Sequence, residues 1–328
     1  MFLRRTATMK KIAFAAIAAL IAAAMLAGCA GTAPPESAAT PAAAPVSVAT
    51  LAGPTGMGMI KLFGDGSYNV SLYQTPDQIT PKIINGEADV AAIPSNLAAV
   101  LYNKTKGAIK TVAVNTTGVM YILENGDTVN SLSDLSGKTI YATGQGATPE
   151  YVLKKLLDAN GIKDADIEFM GAHADLANAM AAGTVKLALL PEPFVSTVLA
   201  KNGGVKVKID VNTEWRKIYG ADSNIPMGVV VVSDRFARDK AAMDKLIADY
   251  GASVKYAVSD PNAPADIAKQ GIVGSEAIAA AALPRCGITF TAGEACRAML
   301  SDYFGLMYAA NPDSVGGAVP DDGFYYMP

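Results

Sequence analysis

Val70-Ser-Leu-Tyr73, Pro76-Asp-Gln-Ile-Thr-Pro-Lys-Ile-Ile-Asn85-Gly86 and Ala88-Asp-Val-Ala-Ala-Ile93 follow one another with only short gaps. The first and third are short, β-branched or apolar runs, which read as strands. The second opens with Pro-Asp and ends at glycine, which marks a helix start and stop. Such a strand–helix–strand unit predicts parallel strands in a sheet covered on both faces. The rhythm extends both ways. Val46–Leu51 reads as a strand, Thr55–Phe63 as a helix, Ser95–Tyr102 as a helix and Thr111–Val114 as a strand. It then restarts. Ser131–Lys138 is a turn and helical elbow, Thr139–Ala142 a strand, Pro149–Asn160 a helix closed by Gly161, Ile167–Phe169 a strand, His173–Ala182 a helix and Leu187–Leu190 a strand. Val229–Val232 is the most apolar strand, and from Arg238 the chain is mostly helical. Two similar α/β units, the second inserted before a return segment, predict two lobes with chain crossings near 118–124 and 226–233. Lobe 1 is expected over 46–118 plus 230–328, and lobe 2 with its hinge segments over 119–229.

The N-terminus predicts where the protein works. Lys10 and Lys11 precede an apolar run, Ile12–Met25, and Leu26-Ala27-Gly28-Cys29 closes it. This is an export signal, and its last four residues match the lipobox of lipoproteins. The match implies cleavage before Cys29 and a lipid on its sulfur, at the outer face of the cell membrane or in the periplasm. Met9 is a better start than Met1. Loss of residues 1–28 removes Arg4, Arg5, Lys10 and Lys11 and no acid, leaving 23 of 27 basic side chains against 30 acidic ones, a net charge of −7. That balance argues against nucleic acid and against broad contact with anionic lipid. Residues 29–45 are Ala/Pro/Ser/Thr-rich and read as a flexible tether. The two remaining cysteines, Cys286 and Cys296, favour a disulfide in an oxidising compartment, with two buried free thiols as the alternative. With His173 as the single histidine, no Cys/His spacing suits a metal, and no cofactor is implied.

Ligands of open α/β sheets collect at the carboxyl ends of strands, so the strand-to-helix junctions supply the candidate residues. Gly53–Met59 follows the first strand and offers Thr55, Gly56 and Met57 beside a helix N-terminus; it matches neither a P-loop nor a dinucleotide fingerprint. Ser95 and Asn96 follow the third strand, where Ser95 is either a helix cap or a ligand contact. Asn115 and Thr116 end the fourth. Gln145, Ala147 and Thr148 form the second lobe's counterpart of the glycine loop, and two facing helix N-termini would clamp an anion without arginine. Glu192 and Phe194 follow the strand 187–190; Phe194 can stack on a ligand, and Glu192 either accepts from one or stabilises its own helix. Each junction is also readable as a plain turn.

Taken in order, the lipobox at Cys29, Asn85-Gly-Glu-Ala-Asp-Val90 with Ala91–Pro94, Leu132–Lys138, Ala182–Ala188 leading into Pro191-Glu-Pro-Phe194, and Val231–Phe236 resemble the substrate-binding lipoproteins of ABC importers, specifically the nitrate/sulfonate/taurine-type group. The resemblance spans almost the whole exported chain. It implies the type II periplasmic-binding-protein fold, a hinge closing on a small molecule, a monomer, and delivery to a permease with its ATPase. None of the five loops carries an arginine, which weakens nitrate or a strongly anionic sulfonate as cargo. Small heterocycles such as thiamin-pyrimidine precursors, which relatives carry, suit Asn96, Asn115, Tyr121, Glu192 and Phe194 equally.

An enzyme on the same fold would need a poised histidine or a carboxylate pair. His173 is expected away from the strand mouths, Asp89 and Glu192 stand alone, and no Gly-x-Ser-x-Gly elbow occurs. A sensory lipoprotein that reports its ligand to a receptor is the other alternative. Trp215 reads as packing between elements of lobe 2 rather than as cleft lining. The aromatic C-terminal stretch to Tyr326 docks on a lobe or reaches the hinge.

Overall fold

The computed structural model describes residues 44–328. The export signal over 1–28, Cys29 and the tether up to residue 43 lie outside the described residues. In chain order the strands are β1 (Val46–Leu51), β2 (Tyr68–Tyr73), β3 (Val90–Pro94), β4 (Ile109–Thr117), β5 (Met120–Asn125) and β6 (Thr139–Ala142). They continue with β7 (Asp166–Phe169), β8 (Leu187–Pro191), β9 (Val205–Asp210), β10 (Pro226–Ser233) and β11 (Ile288–Ala292). Two sheets result, ordered β11-β4-β10-β3-β1-β2 and β7-β6-β8-β5-β9.

Each sheet has a parallel core. β1 pairs in parallel with β2 and β3, and β6 with β7 and β8. The strands next to the crossings run the other way: β10 lies antiparallel between β3 and β4, and β5 antiparallel between β8 and β9. The four valines of β10 suit any strand buried on both faces. Its direction comes from the path of the chain, which re-enters the first sheet from the second.

Local chemistry explains most elements. Helix Pro76–Ile84 starts in a capping box formed by Thr75 and Gln78. Helix Thr148–Ala159 has proline in its first turn, and Gly161 lies just beyond it at φ 71°. The helix expected over 55–63 breaks into one turn, Pro54–Met57, and a 3₁₀ turn, Ile60–Gly64. Gly56 and Gly58 disfavour a continuous helix, and Gly56 also sits where a Cβ would press on the Leu51 carbonyl. Three strands escaped the sequence reading: β5, which was assigned to a crossing; β9, whose Val-Lys-Val-Lys alternation is itself a strand signal; and β11 at the edge.

One apolar cluster continues from lobe to lobe, joining Ile93, Val114 and Val229 to Ile122, Ile140 and Leu189. Trp215 belongs to it. Its Nε1 donates to Ser223 Oγ at 3.0 Å, and its ring lies 6.2 Å from that of Tyr303 on helix Gly293–Ala310. The C-terminal stretch docks on lobe 1: Phe324 is fully buried and edge-on to Tyr102 and Phe304, and Tyr326 N–H donates to the Thr111 carbonyl.

The expected disulfide is corrected. Cys286 and Cys296 are both free and buried. Cys286 packs with Met57, Ile60 and Ile267, whereas Cys296 packs in the large core shared by both lobes. β11 runs between them, and five extended residues span about 16 Å, well over the 7 Å that a disulfide tolerates between Cα atoms.

Gly287 precedes β11 at φ 52°, and a Cβ there would collide with the Thr117 carbonyl oxygen, where the chain leaves the first sheet. Gly287→Ala should therefore cost about 3 kcal/mol or more in urea unfolding. Gly305→Ala, in open space on helix Gly293–Ala310, should instead stabilise by about 0.5–1 kcal/mol. Equal effects at the two sites would contradict this placement.

Candidate functional site

The chain leaves the first sheet at Thr117 and enters the second at Met120, with only Gly118 and Val119 between. It returns between β9 and β10. The two crossings are tied together. Gly118 N–H donates to the Ile225 carbonyl at 3.0 Å, and Ile225 N–H donates to Asn212 Oδ1 at 2.9 Å. Gly118 has φ 48°, and a side chain there would run into Asn212. Ser95 Oγ donates to the Pro226 carbonyl at 2.6 Å and is fully buried. Ser95 thus opens helix Ser95–Thr105 but spends its hydroxyl on the second crossing, neither capping nor facing solvent.

Around this junction the candidate residues divide. Thr55 Oγ1 donates to Leu51 O, Gly56 and Met57 are buried beneath the glycine loop, and Asn96 Nδ2 reaches the Ser314 carbonyl at 3.5 Å. Asn115 accepts from Thr116 Oγ1 at 3.2 Å; both are buried, and the Asn115 amide nitrogen has no partner. In the second lobe Gln145 is exposed, Ala147 half-buried, and Thr148 buried with an unpartnered hydroxyl.

Glu192 and Phe194 sit at the carboxyl end of β8, and the Glu192–Pro193 bond is cis. The Glu192 side chain is 0% exposed. Its Oε2 accepts from Ser196 N–H at 3.0 Å, and its Oε1 accepts from Ser196 Oγ at 3.1 Å and from Arg285 Nε at 2.6 Å. Arg285 Nη2 also donates to Ser196 Oγ at 2.9 Å, and Tyr121 Oη donates to the Arg285 carbonyl at 3.1 Å. Arg285 comes from lobe 1, just before β11, so this network bridges the lobes. Burial raises the Glu192 carboxyl above its ordinary range, opposed by Ser196 and Arg285. Burial also pushes the adjacent Cys286 thiol well up.

Arg285 lies 93 residues from Glu192, so loop-by-loop reading could not place it. Its one sequence signal was the break at Pro284–Gly287 ahead of a β-branched run. Both loops expected to clamp an anion with helix N-termini have features that the sequence did not announce. The first helix is a single turn, Pro54–Met57. At the second, Glu150 accepts from the Gly146 N–H at 2.6 Å and pairs with Lys154. There the chain's own carboxylate holds the Gly146 amide of the glycine loop, two residues ahead of the helix.

A model of the NMT1/THI5-like family matches residues 63–263. The chain belongs to the NMT1/THI5-like family. No curated protein matches it. Among solved structures it is similar to an ABC transporter protein from Parabacteroides distasonis, at 22% identity and TM-score 0.75, over 86% of this chain and 98% of that one. It is also similar to the periplasmic aliphatic sulphonate binding protein SsuA from Escherichia coli, at 17% identity and TM-score 0.68, over 87% and 92%. The periplasmic nitrate-binding protein NrtA from Synechocystis PCC 6803 aligns at 11% identity and TM-score 0.57, over 83% and 84%. The superpositions establish the shared two-lobed α/β fold.

His173 was expected away from the strand mouths; the structure of this NMT1/THI5-like chain places it at them. Its Nδ1 shares a hydrogen bond with Thr143 Oγ1, just beyond β6, and its ring lies 5.4 Å from that of Phe194, just beyond β8. Burial lowers its pKa to about 4, so the ring is neutral near pH 7. Because the unfolded chain protonates His173 near its ordinary 6.5 and the folded chain only near 4, stability is complete above pH 6.5 and falls as pH drops toward 4. The loss attributable to this one group is about 2–3 kcal/mol. Urea unfolding at pH 7 and pH 4.5 should show it as a difference between wild type and His173→Gln; parallel pH profiles would contradict a half-buried neutral ring.

Proposed function

We propose that this chain is the solute-binding component of an ABC importer, held at the outer face of the membrane by a lipid on Cys29 and closing on a small, uncharged, polar organic molecule. In this reading residues 1–28 are the export signal, 29–45 the tether, 46–118 with 230–328 one lobe, and 119–229 the other with its hinge segments. Two lobes joined by two mutually bonded crossings, one of two residues and one that carries helix Val211–Tyr219, suit a hinge whose closed state a ligand favours. The closed form is then what a permease and its ATPase recognise, with one copy of the chain per encounter.

One observation carries the choice of ligand class: the charges at the junction are already paired within the chain. Arg285 is committed to Glu192, and Glu150 occupies the glycine-loop amide. What remains is a neutral histidine beside Phe194, exposed Gln145 and partly buried polar side chains. This set offers a planar face to stack on and neutral hydrogen bonds, as a pyrimidine or similar heterocycle requires. Sulfonate and nitrate, the ligands named for SsuA and NrtA, would find no free cation among the residues described at the junction. The binding reading is supported by the surroundings of His173, which stacks near Phe194 and bonds Thr143.

Thermal unfolding of the full chain against nitrate, sulfonates, pyrimidines, aromatic acids and small amines tests this. A cargo at about 1,000 times its Kd stabilises by about 4 kcal/mol, a rise of roughly 8–16 °C in Tm. The expected response is to an uncharged heterocycle, with Phe194→Ala weakening it about tenfold. A response to anions alone would overturn the ligand class. No response from any compound, with no small molecule co-purified, would overturn the receptor.

A further inference from the structure

We infer that Glu192 is a built-in oxyanion: its carboxylate fills the chain's own anion site and so draws the two lobes together. The constellation around it is the one a bound oxyanion requires. It comprises a guanidinium from one lobe, and a hydroxyl and an N-terminal helix amide from the other, all converging on a fully buried carboxylate. Ser196 accepts from Arg285 while donating to Glu192, so the three groups are mutually satisfied. Ser196 stands in the first turn of helix Phe194–Lys201, whose N-terminal amides favour negative charge. Arg285 is anchored in turn by Tyr121, whose hydroxyl holds the Arg285 carbonyl.

Two consequences follow. Arg285 is withheld from any anionic cargo, because its Nε and Nη2 are spent within the chain. The lobes also have an attachment that needs no cargo, since Glu192 belongs to the second sheet's side of the junction and Arg285 to the first's. Charge-assisted bonds of this kind are among the stronger ones available to side chains, and removal of Arg285 leaves the fully buried Glu192 uncompensated. Glu192 can close the lobes only if they hinge as proposed above, but its filling of an anion site is separable from that reading.

The test is chemical rescue at pH 7 on the full chain. Glu192→Ala removes the carboxylate and leaves its slot beside Arg285. Acetate or formate should then raise the Tm saturably, by about 3–5 °C at tenfold excess over its Kd, beyond any effect on wild type and beyond chloride at equal ionic strength. The double variant Glu192→Ala/Arg285→Ala should lose this rescue. Equal responses of Glu192→Ala and wild type, or of the single and double variants, would overturn the inference. If Glu192→Ala does not fold, Glu192→Gln keeps the shape without the charge. Its radius of gyration in solution should then exceed that of wild type, and an unchanged radius would overturn the closing role. Rescue by acetate without a cargo in the panel sinks the receptor and leaves the built-in anion standing; a cargo without rescue does the reverse.

Discussion

The structure depends on how the chain passes between its two sheets. It crosses at Gly118–Val119 and returns ahead of Pro226, and the two passages hold each other through Gly118 to Ile225, Ile225 to Asn212 and Ser95 to Pro226. Buried backbone amides and carbonyls need partners, and here they find them across the junction rather than in the sheets alone. This constraint sets the direction of β10 and β5, which lie antiparallel to the strands beside them. It also calls for glycine at 118, where a side chain would strike Asn212, and at 287, where one would strike Thr117.

Charge at the junction follows a second rule: it is neutralised from within. Glu150 accepts from the Gly146 amide, and Glu192 binds Ser196 and Arg285. Two positions that resemble anion sites by loop geometry are thus already filled by carboxylates of the chain. In the proposed reading, the side chains left for a ligand are neutral or aromatic, with His173 held uncharged by partial burial. A site so composed would select by stacking and hydrogen-bond geometry instead of by charge.

The sequence was most legible where local signals suffice. The strands at 46–51 and 139–142 appear with the expected limits, and the proline-started helices after Thr75 and Ala147 appear within one residue of theirs. Two lobes were readable because the strand–helix rhythm restarts. Strand direction was not, since the apolar run of β10 is the same read either way. β5 was lost because a crossing and a buried strand share one composition. At the junction, Glu192, Phe194 and Thr148 lie just beyond strands, where their place in the sequence put them. Arg285 was not, because its partner lies 93 residues away and only the fold joins them. His173 was misplaced because a neutral histidine between two alanines carries no local sign of what it faces. Cys286 and Cys296 show the converse error: ten positions apart suggested a bridge, and the extended strand between them excludes it.

The central claim is that the lobes move as bodies about the two crossings. The direct measurement is the distance between spin labels at Lys104→Cys and Asp158→Cys, both exposed and on opposite lobes, with Cys286 and Cys296 too buried to react. In the full chain with Cys29 replaced by serine, the account predicts two distance populations, and a shift to the shorter one on adding the compound with the largest thermal response. A single distance, unchanged by that compound, would contradict it.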